Sequence, residues 1–317
     1  LFRVNSEKMK KIIITTLSVA LVFGLFTITK SRLRTIQLST PKNSSKILVT
    51  ASFYPPYFFA SQIGGEKIDA ITITPAGSEP HDYEPTPQDI VRIEASKLLI
   101  LNGGVEAWAQ KIKDILKGMS TKVVDAADGL FSLTLTEGGA TVTDPHVWLD
   151  PVLAQKEVAT ILTSLIETDP TNAAYYQKNG TDLTNNLKQL DSDYRSGLAH
   201  CRKKDIVTSH AAFGYLAKEY GLNQVAIAGL SPDQEPSPKD LVGVANLAKK
   251  NGIKYIFFEA LISPKLSQTI AGEIGAQTLV LDPIEGISDD GLKQGKNYLT
   301  IMRDNLANLK IALECNK

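Results

Sequence analysis

Residues 46–74, KILVTASFYPPYFFASQIGGEKIDAITIT, hold two short apolar runs, 47–53 and 68–74, separated by a proline pair and an aromatic stretch. Runs of this length rich in Ile, Val and Thr suit strands, and the segment 57–63 between them reads as a helix. Strand, helix and strand of this size make a parallel βαβ unit. The alternation continues with a helix at 87–96, a strand at 97–101, a helix at 104–118 and a strand at 122–126. In the third helix Val105, Trp108, Ile112 and Ile115 fall at spacings of three and four, so one face is apolar.

The pattern changes after residue 127. Residues 128–143 are rich in Gly and Thr and read as a loop. Pro151 opens a helix to about residue 166, and Asp169-Pro170 breaks it. A long helical pattern then runs over 171–200, with Leu183, Leu187, Leu190, Tyr194 and Leu198 on one face and Gly180 weakening its middle. Some 30 residues of helix reach about 45 Å, more than a single lobe needs, so this segment is expected to connect two lobes. The alternation restarts beyond it, with strands at 205–209, 225–230, 254–258 and 278–281 and helices at 213–220, 238–250, 264–274 and 298–314. The expected fold is α/β with two lobes, 46–169 and 201–317, each with a mainly parallel sheet flanked by helices. One long rigid linker helix, 170–200, joins them.

The 317 residues suffice for about two domains. Hydrophobic and charged shares of 43% and 21% are those of a globular chain. Lys+Arg and Asp+Glu are 34 each, and this balance argues against a nucleic-acid binder, which would show a basic excess. Met9-Lys10-Lys11 opens an uncharged apolar run from Ile12 to Thr29. A basic start followed by such a run reads as an export segment over 1–29, either a cleaved signal or an uncleaved anchor, with 30–45 as a polar tether. The body of the protein is therefore expected outside the cytoplasm. The two cysteines, Cys201 and Cys315, are expected to form a disulfide in such a compartment.

Histidine is scarce. Of four, three stand in suggestive contexts: His81 in GSEPHDYEPTP, His146 in DPHVWLDP and His210 in VTSHAAFGYL. His81 follows the strand at 68–74 and His210 the strand at 205–209. Asp282, in LVLDPIEG, follows the strand at 278–281. Open parallel sheets bind ligands outside the carboxyl ends of their strands, so these residues can meet in a cleft between the lobes. Zinc prefers about four N, O or S ligands in a tetrahedron; three imidazoles fill three vertices and Asp282 is the candidate for the fourth. Glu84 and Asp82 are either solvated loop charges or partners for the second nitrogen of His81, and Glu259 is placed to line the cleft. Asp144 and Asp150, flanking His146, read as turn or helix-capping residues. His200, beside Cys201, reads as a helix-end residue.

The motifs PHDYEPTPQD, DPHVWLDP, TSHAAFGYLAKEYGL, IAGLSPDQEPSP and VLDPIEG, in this order, resemble the zinc/manganese class of solute-binding proteins that feed ATP-binding-cassette importers. The resemblance spans about residues 46–317. It implies two α/β lobes joined by a rigid helix, with metal held between them at His81, His146, His210 and Asp282. Histidine at the third position resembles the zinc members, glutamate there the manganese members; zinc (Zn2+) is thus the expected cargo and manganese (Mn2+) the weaker alternative. The implied partner is a membrane permease, and the chain itself is expected to be monomeric. Two features depart from the family pattern: residues 126–143 lack the histidines that many zinc members carry there, and Pro80 stands where some members have a glutamate ligand. Competing readings are a manganese or iron importer component, a metal-dependent adhesin, and a metallohydrolase. The last would need an open coordination position and a general base.

Overall fold

The computed structural model describes residues 46–234 and 236–316. The expected export segment and tether, 1–45, lie outside the described residues. The first half runs β1 (Ile47–Ala51), α1 (Tyr54–Gly64), β2 (Ile68–Thr72), α2 (Pro87–Ala95), β3 (Leu98–Leu101), α3 (Ala109–Ile115) and β4 (Lys122–Asp125). Its strands form a parallel sheet in the order β2-β1-β3-β4. A hairpin of β5 (Thr134–Glu137) and β6 (Ala140–Thr143) follows, then two long helices, α4 (Pro151–Thr168) and α5 (Ala173–Leu198). The second half runs β7 (Asp205–Thr208), α6 (Gly214–Tyr220), β8 (Asn223–Ala226), α7 (Pro238–Lys250), β9 (Tyr255–Phe258), α8 (Lys265–Ile274), β10 (Gln277–Val280), α9 (Asp289–Lys293) and α10 (Tyr298–Ala312). Its parallel sheet has the order β10-β9-β7-β8. Two parallel-sheet lobes flanked by helices, with one long helix between them in the chain, are the architecture expected from the sequence. Chain order reverses between β1 and β3 and between β7 and β9, the places where such sheets open a crevice at their carboxyl ends.

The long helix α5 buries Tyr176, Gly180, Leu183, Leu187, Leu190, Tyr194 and Leu198, one stripe with the helical period. Near its start Asn179 donates to the Ile63 carbonyl of α1 at 3.0 Å. Near its end the Tyr194 hydroxyl donates to the Met302 carbonyl of α10 at 2.7 Å. The helix is thus fastened to the first half at one end and the second half at the other. Gly180 permits close packing rather than weakening the helix: a Cβ there would stand 2.8 Å from Leu162 Cδ2 of α4.

Several elements differ from the sequence expectations: the helix read over 104–118 is shorter, Ala109–Ile115, and Asp289–Lys293 is a helix the sequence reading does not contain. Helix α1 begins at Tyr54, so Pro55 and Pro56 occupy its first turn, where a missing N–H is harmless. The long helical pattern divides into a 3-10 turn, Pro170–Asn172, and the 26-residue α5, because Asp169 accepts bonds from Asn172 and the Tyr176 hydroxyl. The segment read as a loop contains the β5–β6 hairpin, turned by Gly138 and Gly139, both at positive φ (56° and 86°), as a two-residue hairpin turn requires. Strand β8 ends at Ala226, and residues 227–229 leave the sheet to bond the loop after β7, through Ala228 N–H to Ser209 O and Ala211 N–H to Gly229 O.

Cys201 and Cys315 are disulfide-bonded across 114 residues of sequence, joining the end of α5 to the end of α10. Among the described residues no helix is long and apolar enough to cross a membrane. Replacing both cysteines by serine should lower stability by about 2–5 kcal/mol, since the released loop is long. Denaturant unfolding of the double variant against the oxidised parent measures this, and the loss should disappear when the parent is reduced.

Candidate metal centre

Each functional side chain enters from the carboxyl end of a strand or from the turn before a helix. His81 lies in the loop after β2, His146 in the turn before α4, and His210 two residues beyond β7. Glu285 follows β10, and its buried carboxylate is the point on which the three rings converge. His146 Nε2 lies 3.1 Å, His81 Nε2 3.2 Å and His210 Nε2 3.3 Å from the same atom, Glu285 Oε1. Neighbouring ring centroids are 5.3 Å apart for His81 and His146 and again for His146 and His210. The four potential donor atoms all fall within 4.8 Å of one another, the compactness that one small cation needs.

The surroundings orient the rings. Asp144 Oδ1 accepts from the His146 backbone N–H at 2.9 Å and pairs with His146 Nδ1 at 2.8 Å. Glu259 Oε1 pairs with His210 Nδ1 at 2.6 Å. A proton on Nδ1, shared with a carboxylate, leaves the lone pair on Nε2 facing the centre, as outer carboxylates do around bound metals. His210 Nε2 is buried without a hydrogen-bond partner among the described residues. His146 and His210 are fully buried, whereas the His81 side chain keeps 11% of its exposure and marks the accessible side.

The electrostatics follow from this crowding. Burial pushes the His146 imidazole down, but Asp144 and Glu285 outweigh it and hold the ring above its ordinary pKa. His210 is raised well above the ordinary value: Glu259 and Glu285 overcome its burial. Burial pushes the Glu285 carboxyl up, yet the His210 charge and the close approach of all three imidazoles hold it well below the usual range. Glu79, whose Oε1 accepts the His81 N–H at 3.2 Å, is pushed up to about 9 by burial and by the Glu285 charge.

Asp282 stands apart from the cluster. Its Oδ1 turns back to accept the Ile284 N–H at 2.8 Å, burial pushes its carboxyl up to about 7, and it lines a separate cavity of about 200 Å³ with Asp290 and Lys296. The residue that joins the histidines is the other acid of the same DPIEG stretch. Ile284 takes a left-handed conformation, φ 59°, and this turn sends Glu285 inward while Asp282 caps its own loop. Glu84 is exposed, and among the described residues no hydrogen bond links it to an imidazole. Asp150 caps α4 through Val152 N–H, as expected, but Asp144 acts on His146 rather than on a helix end. His200 is exposed, and its carbonyl accepts from Asn316. The sequence expectation names neither Glu285 nor Glu79; they stand in LVLDPIEG and GSEPHDYEPTP beside the acids it does name, Asp282 in the first and Asp82 and Glu84 in the second.

The chain matches the family described as zinc-uptake complex component A, periplasmic, over residues 49–312. It is 41% identical over 290 residues to the high-affinity zinc uptake system protein ZnuA of Bacillus subtilis, covering 87% of this chain and 90% of that protein. It is 34% identical over 330 residues to the zinc-binding protein AdcA of Streptococcus pyogenes, covering 96% of this chain but 62% of that longer protein. The Zn(II)-bound ZnuA-like domain of AdcA from Streptococcus pneumoniae superposes with a TM-score of 0.75 at 38% identity, over 85% of this chain and 99% of the domain. With a match over most of its length and a relative of this identity, the chain belongs to the zinc-uptake complex component A family.

Proposed function

We propose that this protein captures zinc outside the cytoplasm through His81, His146, His210 and Glu285 and delivers it to an ATP-binding-cassette permease. The observation that carries the reading is the ring of three Nε2 atoms around Glu285 Oε1, with carboxylates behind two of the rings. Three imidazoles and one carboxylate are a donor set for zinc; a harder ion such as manganese prefers more oxygen. Four protein donors complete a tetrahedron and leave no position for an activated water, which favours carriage over hydrolysis. The family's place in uptake supports the permease as partner.

Purified residues 46–317 should bind one zinc ion per chain, with manganese far weaker. His81→Ala, His146→Ala, His210→Ala and Glu285→Gln should each reduce zinc affinity by more than the roughly 10–100-fold that outer partners contribute. His200→Ala should leave affinity unchanged, and Asp282→Asn should cost less than Glu285→Gln. Competition titration against a chelator measures the series; manganese binding as tightly as zinc would overturn the metal assignment.

Zinc must displace protons from the imidazoles. Because His146 and His210 are held above their ordinary value of about 6.5, affinity should begin to fall while the pH is still above that value and continue to fall toward pH 5. The metal-free protein should respond in the opposite sense. Raised imidazole pKa values contribute stability that is complete below about 6.5 and is lost as the pH rises through the folded-state values. Thermal unfolding with and without zinc across pH 5–8 should therefore give opposing slopes, and parallel slopes would count against the histidine assignment.

A further inference from the structure

The loop that carries Glu285 is held by contacts that come from elsewhere in the chain. Three residues, Asp282, Pro283 and Ile284, lead into Glu285, and every one of them is constrained. At its start the Asp282 backbone is gripped twice by the buried Asn305 of α10: Asn305 Oδ1 accepts the Asp282 N–H at 2.9 Å, and Nδ2 donates to the Asp282 carbonyl at 2.8 Å. In the middle Trp148 Nε1 donates to the Pro283 carbonyl at 2.7 Å. Next comes Ile284, fully buried at φ 59°, a conformation that a β-branched residue adopts at a cost and keeps only when its surroundings impose it.

Trp148 is itself firmly seated. Its ring lies edge-on to Phe53 and beside His146, at 5.1 Å in each case, and its carbonyl accepts from the Tyr298 hydroxyl. One residue, Val147, separates it from His146, and one, Ile284, separates Pro283 from Glu285. The indole N–H therefore ties the backbone beside one ring of the cluster directly to the backbone beside the carboxylate. No cluster atom touches Asn305 or the indole nitrogen in these contacts, so both act through the loop.

We propose that Trp148, through its indole N–H, and Asn305, through its side-chain amide, are positioning residues that hold Ile284 in its left-handed turn and so aim Glu285 at the three imidazoles. This rests on the reading of Glu285 as a zinc ligand. Trp148→Phe keeps the ring and deletes the N–H; Asn305→Leu keeps the volume and deletes both bonds to Asp282. The two act at different points of the loop and test it independently.

The experiment measures zinc affinity by chelator competition for the full chain, Trp148→Phe and Asn305→Leu, each with Glu285 intact and each combined with Glu285→Gln. Cobalt(II) visible absorption is recorded as the signature of coordination, and thermal unfolding without metal reads the fold separately. With Glu285 intact, each variant should lose about 10-fold or more in affinity and shift the cobalt bands, the effect typical of removing an outer support. In the Glu285→Gln background the same substitutions should change affinity little, because two groups that act as one do not add. Equal losses in both backgrounds, or unchanged affinity and cobalt bands with Glu285 intact, would overturn the positioning role while leaving Glu285 as a ligand. Wild-type affinity and spectrum in Glu285→Gln alone would overturn the ligand reading, and this inference with it.

Discussion

A single buried carboxylate oxygen shared by three imidazoles is the constraint around which the structure is arranged. Glu285 Oε1 is approached by rings contributed by three distant stretches of chain, and the rings of His146 and His81 cannot move away without breaking their bonds to this buried carboxylate. Such a cluster costs free energy to bury, and charge pairing recovers it only with good geometry. Asp144 and Glu259 supply that geometry from behind. The cluster answers that cost from within, by imidazoles of His146 and His210 held above their ordinary pKa against a Glu285 carboxyl held below its own.

Rigid packing makes this placement reproducible. Helix α5 lays one apolar stripe against its neighbours and is pinned at Asn179 and Tyr194 to helices of either half. The rings of His146 and His210 rest on fully buried segments rather than on exposed loops, and only His81 keeps part of its surface in contact with solvent. The asymmetry leaves His81 as the solvent-facing ring of the three, with Glu79 holding its backbone.

Much of this was legible in the chain. The strand and helix periodicities gave both lobes and the connector, because buried parallel strands and amphipathic helices leave distinct apolar patterns. The convergence of His81, His146 and His210 could be read because histidine is scarce and each one follows a strand or precedes a helix. The fourth member was hidden for a physical reason. Asp282 and Glu285 lie on either side of Ile284 at φ 59°, and a β-branched residue gives no local sign of a left-handed turn. The hairpin was hidden by composition: its Gly and Thr content resembles a loop, although the alternation in TLTEGGATVT around Gly138-Gly139 carries the signal. Asp144 was read as a turn residue because an Asx side chain beside a helix start usually bonds backbone, and only the fold shows that the same oxygen also reaches a ring.

The covalent tie between Cys201 and Cys315 has a mechanical meaning beyond its effect on unfolding equilibria. The bond closes a loop that contains β7 through α10, so a pull applied between the two chain termini travels along residues 46–201, crosses the sulfurs and leaves at residue 315. The second sheet lies off that path and carries no tension while the bond is intact. Under such a pull the chain would give up its first sheet and α5 alone. The half that presents His210, Glu259 and Glu285 would stay folded as a knot in the extended chain.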